Sequence, residues 1–133
     1  IIMEQRAVNP WSWQDNFGFS QAVEFSGHQR VLVCSGQTSV DENGSPLHAG
    51  DIGAQSLKAL DNLEAVLKQA GLGLANVVRL NLYVTDINAL FPVYGSVVAR
   101  LAAAGCKPAS TLLEVQKLAF PGLMIEIEAT AVA

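Results

Sequence analysis

The sequence predicts an α+β fold in which a mixed six-stranded sheet carries two helices on one face. Three observations point there. Leu57, Leu60, Leu63, Leu67 and Ala70 recur at three- and four-residue spacing, as do Leu90, Val93, Val97 and Leu101, which is the period of a helix with one buried stripe. Residues 77–84 and 123–132 instead alternate apolar and polar, the period of a strand with two unlike faces. Short turn clusters separate these segments, with no repeat, linker or low-complexity tract, so the 133 residues are expected to form a single domain over 1–133 around one core.

In chain order, Ile1 and Ile2 precede Met3, the expected start of the natural chain, and are set aside. Trp11, Trp13, Phe17 and Phe19 form an aromatic cluster expected to pack over the sheet, with Phe17 or Phe19 placed to form a pocket wall. Residues 21–25 and 30–35 are β-type runs, and Ser26-Gly27-His28-Gln29 between them is a turn cluster that closes a hairpin. A short strand at 37–40 leads into a loop, Asp41-Glu42-Asn43-Gly44-Ser45-Pro46, in which Asn43-Gly44 suits positive φ. Asp51 is the expected N-cap of the first helix and Gly71 the glycine just past its end.

The strand at 77–84 places Val78, Leu80, Leu82 and Val84 on one face and Arg79, Asn81 and Tyr83 on the other. Asp86 or Asn88 starts a second helix reaching about Ala104, with Pro92 tolerated in its first turns and Gly105 as its terminator. Strands at 110–115 and 123–132 close the chain, and in the last of them Ile125, Ile127, Ala129 and Ala131 oppose Glu126, Glu128 and Thr130. Both helices are needed on the apolar face. The opposite face, with Arg79, Asn81, Tyr83, Glu126 and Glu128, is expected to meet other subunits.

Half of the residues are hydrophobic and only 15% charged, with a mean hydropathy of +0.30. So little charge on so small a domain implies apolar surface reserved for partner subunits. The net charge is -4 and the eight Lys and Arg are scattered from Arg6 to Lys117, which argues against nucleic acid and against an anionic membrane surface. No apolar run approaches the ~20 residues that span a bilayer, and no secretory leader is recognisable, so a cytoplasmic protein is expected. Cys34 and Cys106 read as small buried hydrophobes, without a disulfide. His28 and His48 lie on loops without ligand-like spacing, so no metal is expected, and nothing in the sequence calls for a cofactor.

Two stretches near the C-terminus say more: Lys107-Pro108-Ala109-Ser110-Thr111-Leu112-Leu113-Glu114-Val115 and Met124-Ile125-Glu126-Ile127-Glu128-Ala129-Thr130-Ala131. With Ser35-Gly36-Gln37, the first helix and Tyr83-Val84-Thr85-Asp86, they resemble the Rid family, also called YjgF/YER057c/UK114 or endoribonuclease L-PSP, from about Gly18 to Val132. The resemblance implies a chorismate-mutase-like (YjgF-like) fold. It also implies a homotrimeric barrel with three pockets at the subunit clefts, and hydrolysis of reactive imines and enamines.

The family's imine-deaminase branch has an arginine after Pro-Ala that grips the substrate carboxylate, and Ser110 stands there in this chain. Phe19 falls where that branch has a tyrosine and Tyr94 where it has an asparagine, while its water-holding glutamate is retained as Glu126. A serine hydroxyl cannot reproduce the two parallel charge-assisted bonds of a guanidinium, so a substrate lacking a carboxylate is favoured. Phe19, Tyr94, Ser110 and Leu112 make an apolar pocket suited to a neutral or aromatic small molecule. Thr111 adds a hydroxyl for ligand contact, and Arg79 either replaces the anion clamp from another direction or forms an interface ion pair. Glu126 either activates water as a general base or pairs across an interface, and Glu128 reads as structural. No His or Asp is placed to activate Ser110 as a nucleophile.

Two functions are therefore expected to compete. One is a hydrolase (deaminase) of imines or enamines; the other is a non-catalytic metabolite-binding or regulatory module using the same cleft. Ribonuclease activity, attached to some family members by name, ranks behind both, since the chain is acidic and lacks a His/Lys constellation.

Overall fold

A computed structural model of the chain describes residues 3–133. The expectation for Ile1 and Ile2 lies outside them. Among the described residues the strands are β1 (Glu4–Val8), β2 (Ala22–Ser26), β3 (Val31–Val33), β4 (Gln37–Thr38), β5 (Val77–Val84), β6 (Ala109–Glu114) and β7 (Ile125–Val132). The helices are α1 (Ile52–Gln69), α2 (Ile87–Leu90) and α3 (Tyr94–Ala103).

The larger sheet runs β3-β7-β5-β6, with β4 also on β7; β5 and β6 are parallel and the other pairs antiparallel. α2 and α3 make the connection between the parallel pair, as a parallel crossover requires. β1 and β2 form a separate antiparallel ribbon, so the expected single six-stranded sheet is divided. The reason lies at Ser20, which makes one parallel bridge to Ala109 before β2 turns away to pair with β1. Nothing local announced β1: all five of its residues are exposed and its sequence has no alternation to read. Its Arg6–Glu24 ion pair, 3.3 Å and solvent-exposed, adds little. The expected hairpin between 21–25 and 30–35 is likewise not formed, because β3 is taken by β7.

α1 begins where expected, Asp51 Oδ1 accepting the Ala54 N–H at 3.0 Å. It ends on Gly71 at φ +76, where the Leu72 and Gly71 N–H groups reach back to the Leu67 and Lys68 carbonyls at 2.8 and 2.9 Å, a Schellman closure. Ile52, Ala59, Leu60, Leu63 and Leu67 are buried on the sheet, each large side chain contributing about 1.5–3 kcal/mol of burial. Leu57 instead sits at the edge of the stripe, 37% exposed, and Ser56 takes the buried position by bonding back to the Ile52 carbonyl at 2.7 Å. Arg100 on α3 ties the two helices through Asp61, at 2.6 Å, and Glu64.

The second helix is interrupted by a 3-10 turn at Phe91–Val93. Pro92 has no N–H to give and its ring crowds the carbonyl four residues back, so the turn tightens before α3 resumes at Tyr94. Leu90, Val97 and Leu101 still face the core. The strand alternation holds: Leu80, Leu82, Val84, Ile125, Ile127, Ala129 and Ala131 are buried, while Arg79, Asn81, Tyr83, Glu126, Glu128 and Thr130 share the other face. Val78 lies in a bulge between the Val77 and Arg79 pairings. No helix among the described residues is long and apolar enough to cross a membrane.

Candidate functional site

The N-terminal aromatic segment is brought to β6 by a short series of fixed contacts. Trp13–Phe17 form a 3-10 turn closed by Gly18 at φ +74, a left-handed position that favours glycine. A Cβ there would also fall 2.9 Å from Val98 Cγ1, so the segment lies directly on α3. Ser20 then locks onto the start of β6, its N–H donating to the Pro108 carbonyl at 2.9 Å and its hydroxyl to the Lys107 carbonyl at 2.7 Å. Phe19 is thereby held beside Ser110.

Around it opens a cavity of ≈ 220 Å³ lined by Trp13, Phe17, Phe19, Phe91, Tyr94, Ser110 and Leu112. Four residues singled out from the sequence, Phe19, Tyr94, Ser110 and Leu112, therefore meet in one place. Trp13 stands edge-on to Phe19 and Phe17, with ring centroids 5.8 and 6.3 Å apart, a favourable arrangement of their quadrupoles. The lining has hydroxyls on Tyr94 and Ser110 and no charged side chain. Burial raises the Tyr94 phenol above its ordinary value, so it stays a neutral hydrogen-bonding group at physiological pH. The volume is below the ~300–1,000 Å³ of drug-sized pockets and fits a small metabolite. Its mouth is apolar: Trp13 is 58% exposed and Phe91 52%.

Trp13 and Phe91 belong to this wall without having been placed there from the sequence. For Phe91 the signal was available: it precedes Tyr94 by three residues, which on one helical face makes them neighbours.

Glu126, Thr111 and Arg79 lie elsewhere. Ser110 and Leu112 pair with Leu80 and Leu82, whose side chains are in the core under the helices, while Thr111 pairs with Asn81 and Glu126 with Tyr83 on the opposite face. Within the chain Glu126 and the aromatic cavity are thus separated by the sheet. Glu126 is half-buried on β7, between β4 and β5 and against Gly36. Arg79 donates to the Thr111 hydroxyl at 2.8 Å.

Glu128, on the same face, is held firmly: Tyr83 donates its phenol at 2.5 Å and Asn81 its amide at 3.2 Å. The Tyr83 and Asn81 hydrogen bonds hold the Glu128 carboxyl below its usual range, and the same bond to Glu128 lifts the Tyr83 phenol. A cavity of ≈ 170 Å³ adjoins these groups and Cys34, and the buried Asn81 Oδ1 beside it lacks a hydrogen-bond partner among the described residues. Burial raises both thiols, Cys106 to about 12, which disfavours the reactive thiolate.

A larger cavity of ≈ 480 Å³ lies between Thr85 and the 116–123 loop, but one loop forms nearly all of it and Lys117 is its only charged lining residue. The described residues contain no cluster of His, Cys, Asp or Glu arranged to hold a metal.

The Endoribonuclease L-PSP family model matches residues 14–133. A RutC family protein of Pyrococcus horikoshii is 33% identical over 113 residues, covering 85% of each chain. The 2-iminobutanoate/2-iminopropanoate deaminase of Rattus norvegicus is 34% identical over 116 residues, covering 86% of this chain and 79% of its own. The crystal structure of YyfB, a protein of the conserved Rid family from Yersinia pestis, superposes with a TM-score of 0.84 at 39% identity, covering 97% of this chain and 98% of the other. By sequence and by fold, then, this chain belongs to the Rid (YjgF/YER057c/UK114, endoribonuclease L-PSP) family.

Proposed function

We propose that the protein is a homotrimeric Rid-type hydrolase of small neutral or aromatic imines and enamines, with the aromatic cavity of one subunit completed by Glu126 of its neighbour. The observation that carries this reading is the convergence of Phe19, Tyr94, Ser110 and Leu112 on one small cavity. Because the sheet separates that cavity from Glu126 in each subunit, the two can act on one ligand only across a subunit boundary. The exposed aromatic mouth and the low charge of the chain support such a boundary. The deaminase named among the relatives supports the reaction class.

In this reading the aromatic walls take the apolar part of the ligand, and the Tyr94 and Ser110 hydroxyls orient its nitrogen. Glu126 accepts a proton from water as the oxygen adds to the C=N carbon, and the C=N electron pair takes that proton back from Glu126 at nitrogen, which restores the carboxylate. The resulting carbinolamine then loses ammonia or an amine, leaving the carbonyl product. An enamine enters the same course once protonated at carbon to its imine. With serine in place of the deaminase arginine, substrates bearing a carboxylate lose a contact worth ~2–5 kcal/mol in a desolvated site, which turns preference toward neutral ones.

The test generates imines from a panel of amino acids and neutral amines with suitable oxidases and traps them with semicarbazide. The protein is expected to outcompete the trap, best for neutral aromatic imines, and Glu126→Gln to abolish that competition while the oligomer persists. No competition across the panel, with ligands still binding the aromatic cavity, would establish the second reading, a non-catalytic metabolite-binding module. That alternative draws on the absence of any charged group in the cavity lining.

A further inference from the structure

We infer that Gly36 is a positioning residue for the Glu126 carboxylate, and that its missing side chain is the space in which that carboxylate lies. This rests on the reading of Glu126 as the group that holds the attacking water. Between the Val33–Thr130 and Gln37–Ile127 pairs the edge chain has one residue more than β7, so it bulges at residues 34–36. A bulge bends its strand and re-aims neighbouring side chains, and bulges are over-represented beside active sites.

Here the bend brings the Gly36 backbone onto Glu126. A Cβ on Gly36 would stand 2.1 Å from Glu126 Oε2, 2.6 Å from Cδ and 2.7 Å from Cγ, all closer than real contacts allow. Since Cγ is included, turning the carboxylate end alone does not relieve the overlap; the whole side chain must leave its rotamer. Gly36 is not among the glycines at positive φ, so its backbone is open to any L-residue and the demand for glycine comes from Glu126. Cross-strand neighbours Thr38 and Tyr83 flank Glu126 on β4 and β5. With both flanks occupied, Gly36 supplies the floor that fixes where the carboxylate points.

The experiment uses the intact oligomer with Gly36→Ala, Glu126→Asp, Glu126→Ala and the two double variants. A crystal structure of Gly36→Ala is expected to show Glu126 in a different rotamer; an unmoved carboxylate overturns the inference. In imine hydrolysis kcat should fall about 100-fold with KM within about twofold, the signature of a displaced catalytic group beside an intact binding cavity. Shortening the side chain with Glu126→Asp should recover part of that loss in the Gly36→Ala background while lowering kcat in the Gly36 background. A displaced carboxylate with unchanged kcat would overturn the positioning role. Should the unaltered protein hydrolyse no imine, it is the hydrolase reading that fails, and melting temperatures decide the contact: Gly36→Ala should destabilise the protein with Glu126 present and much less with Glu126→Ala. Equal destabilisation in both backgrounds would overturn the inference.

Discussion

Ser110 and Glu126 stand on opposite faces of one sheet, Ser110 beside the core residue Leu80 and Glu126 beside Tyr83. Side chains alternate strictly along a strand, so no rotamer change brings the two together within a subunit. On the proposed homotrimeric reading the two act together only between subunits, and complementation tests it. Glu126→Gln and Ser110→Trp are each expected to be inactive, the second because the indole fills a cavity of ≈ 220 Å³. Refolding an equal mixture should restore about one quarter of wild-type activity, the fraction of randomly assembled trimer interfaces that join a sound cavity to a sound glutamate. Activity staying at the level of the separate variants would place the two groups in independent sites.

Ser110→Arg places a guanidinium at the edge of the aromatic cavity. It is expected to raise kcat/KM for 2-imino acids by about 30-fold, the equivalent of ~2 kcal/mol from one desolvated bidentate pair, and to lower it for neutral aromatic imines by crowding them. Steady-state kinetics on one substrate of each kind measures the switch; parallel changes in both would show that the arginine acts by bulk alone.

Tyr83 and Glu128 share a 2.5 Å hydrogen bond that is strongest with a protonated phenol and an ionised carboxylate. The folded-state value of Glu128 is depressed, so its stabilisation is present above the unfolded carboxylate value, about 4.3, and is lost as pH falls through the depressed one. The phenol is raised, so its share is complete below about 10 and is lost as pH rises through the raised value. Tyr83→Phe should therefore melt below the wild type at pH 7, and the gap should close toward pH 2. A gap constant over that range would mean that the carboxylate charge contributes nothing to the bond.

Leu63→Ala, at a fully buried position on α1, should cost ~2–5 kcal/mol in urea unfolding, transfer and cavity terms together. Leu57→Ala, at the 37% exposed edge of the same stripe, should cost less than about 1 kcal/mol. Equal costs would contradict the orientation of the helix.

Much of the fold was legible because its signals are local. Asp51 and Gly71 bound α1 as their chemistry requires, and the two long strands present the faces that their alternation announced. Pro92 was legible as tolerated but not as the cause of a break, which depends on how the turn before it packs. β1 was missed because its formation rests on β2, in another part of the chain. In the site, the resemblance pointed to Phe19, Tyr94, Ser110 and Leu112 together, and they meet. Arg79 and Thr111 came to each other instead, since neighbouring positions on β6 point to opposite faces.

The sequence by itself determined the family, the bounds of α1 and the inward faces of β5 and β7, because period, capping and turn chemistry act over a few residues. The tertiary structure alone decided that the sheet divides after Ser20, that an edge bulge sets Gly36 against Glu126, and that Ser110 and Glu126 are separated by the sheet. Those outcomes depend on register and on which distant strand wins each hydrogen-bonding edge, a competition between parts of the chain that no local pattern records.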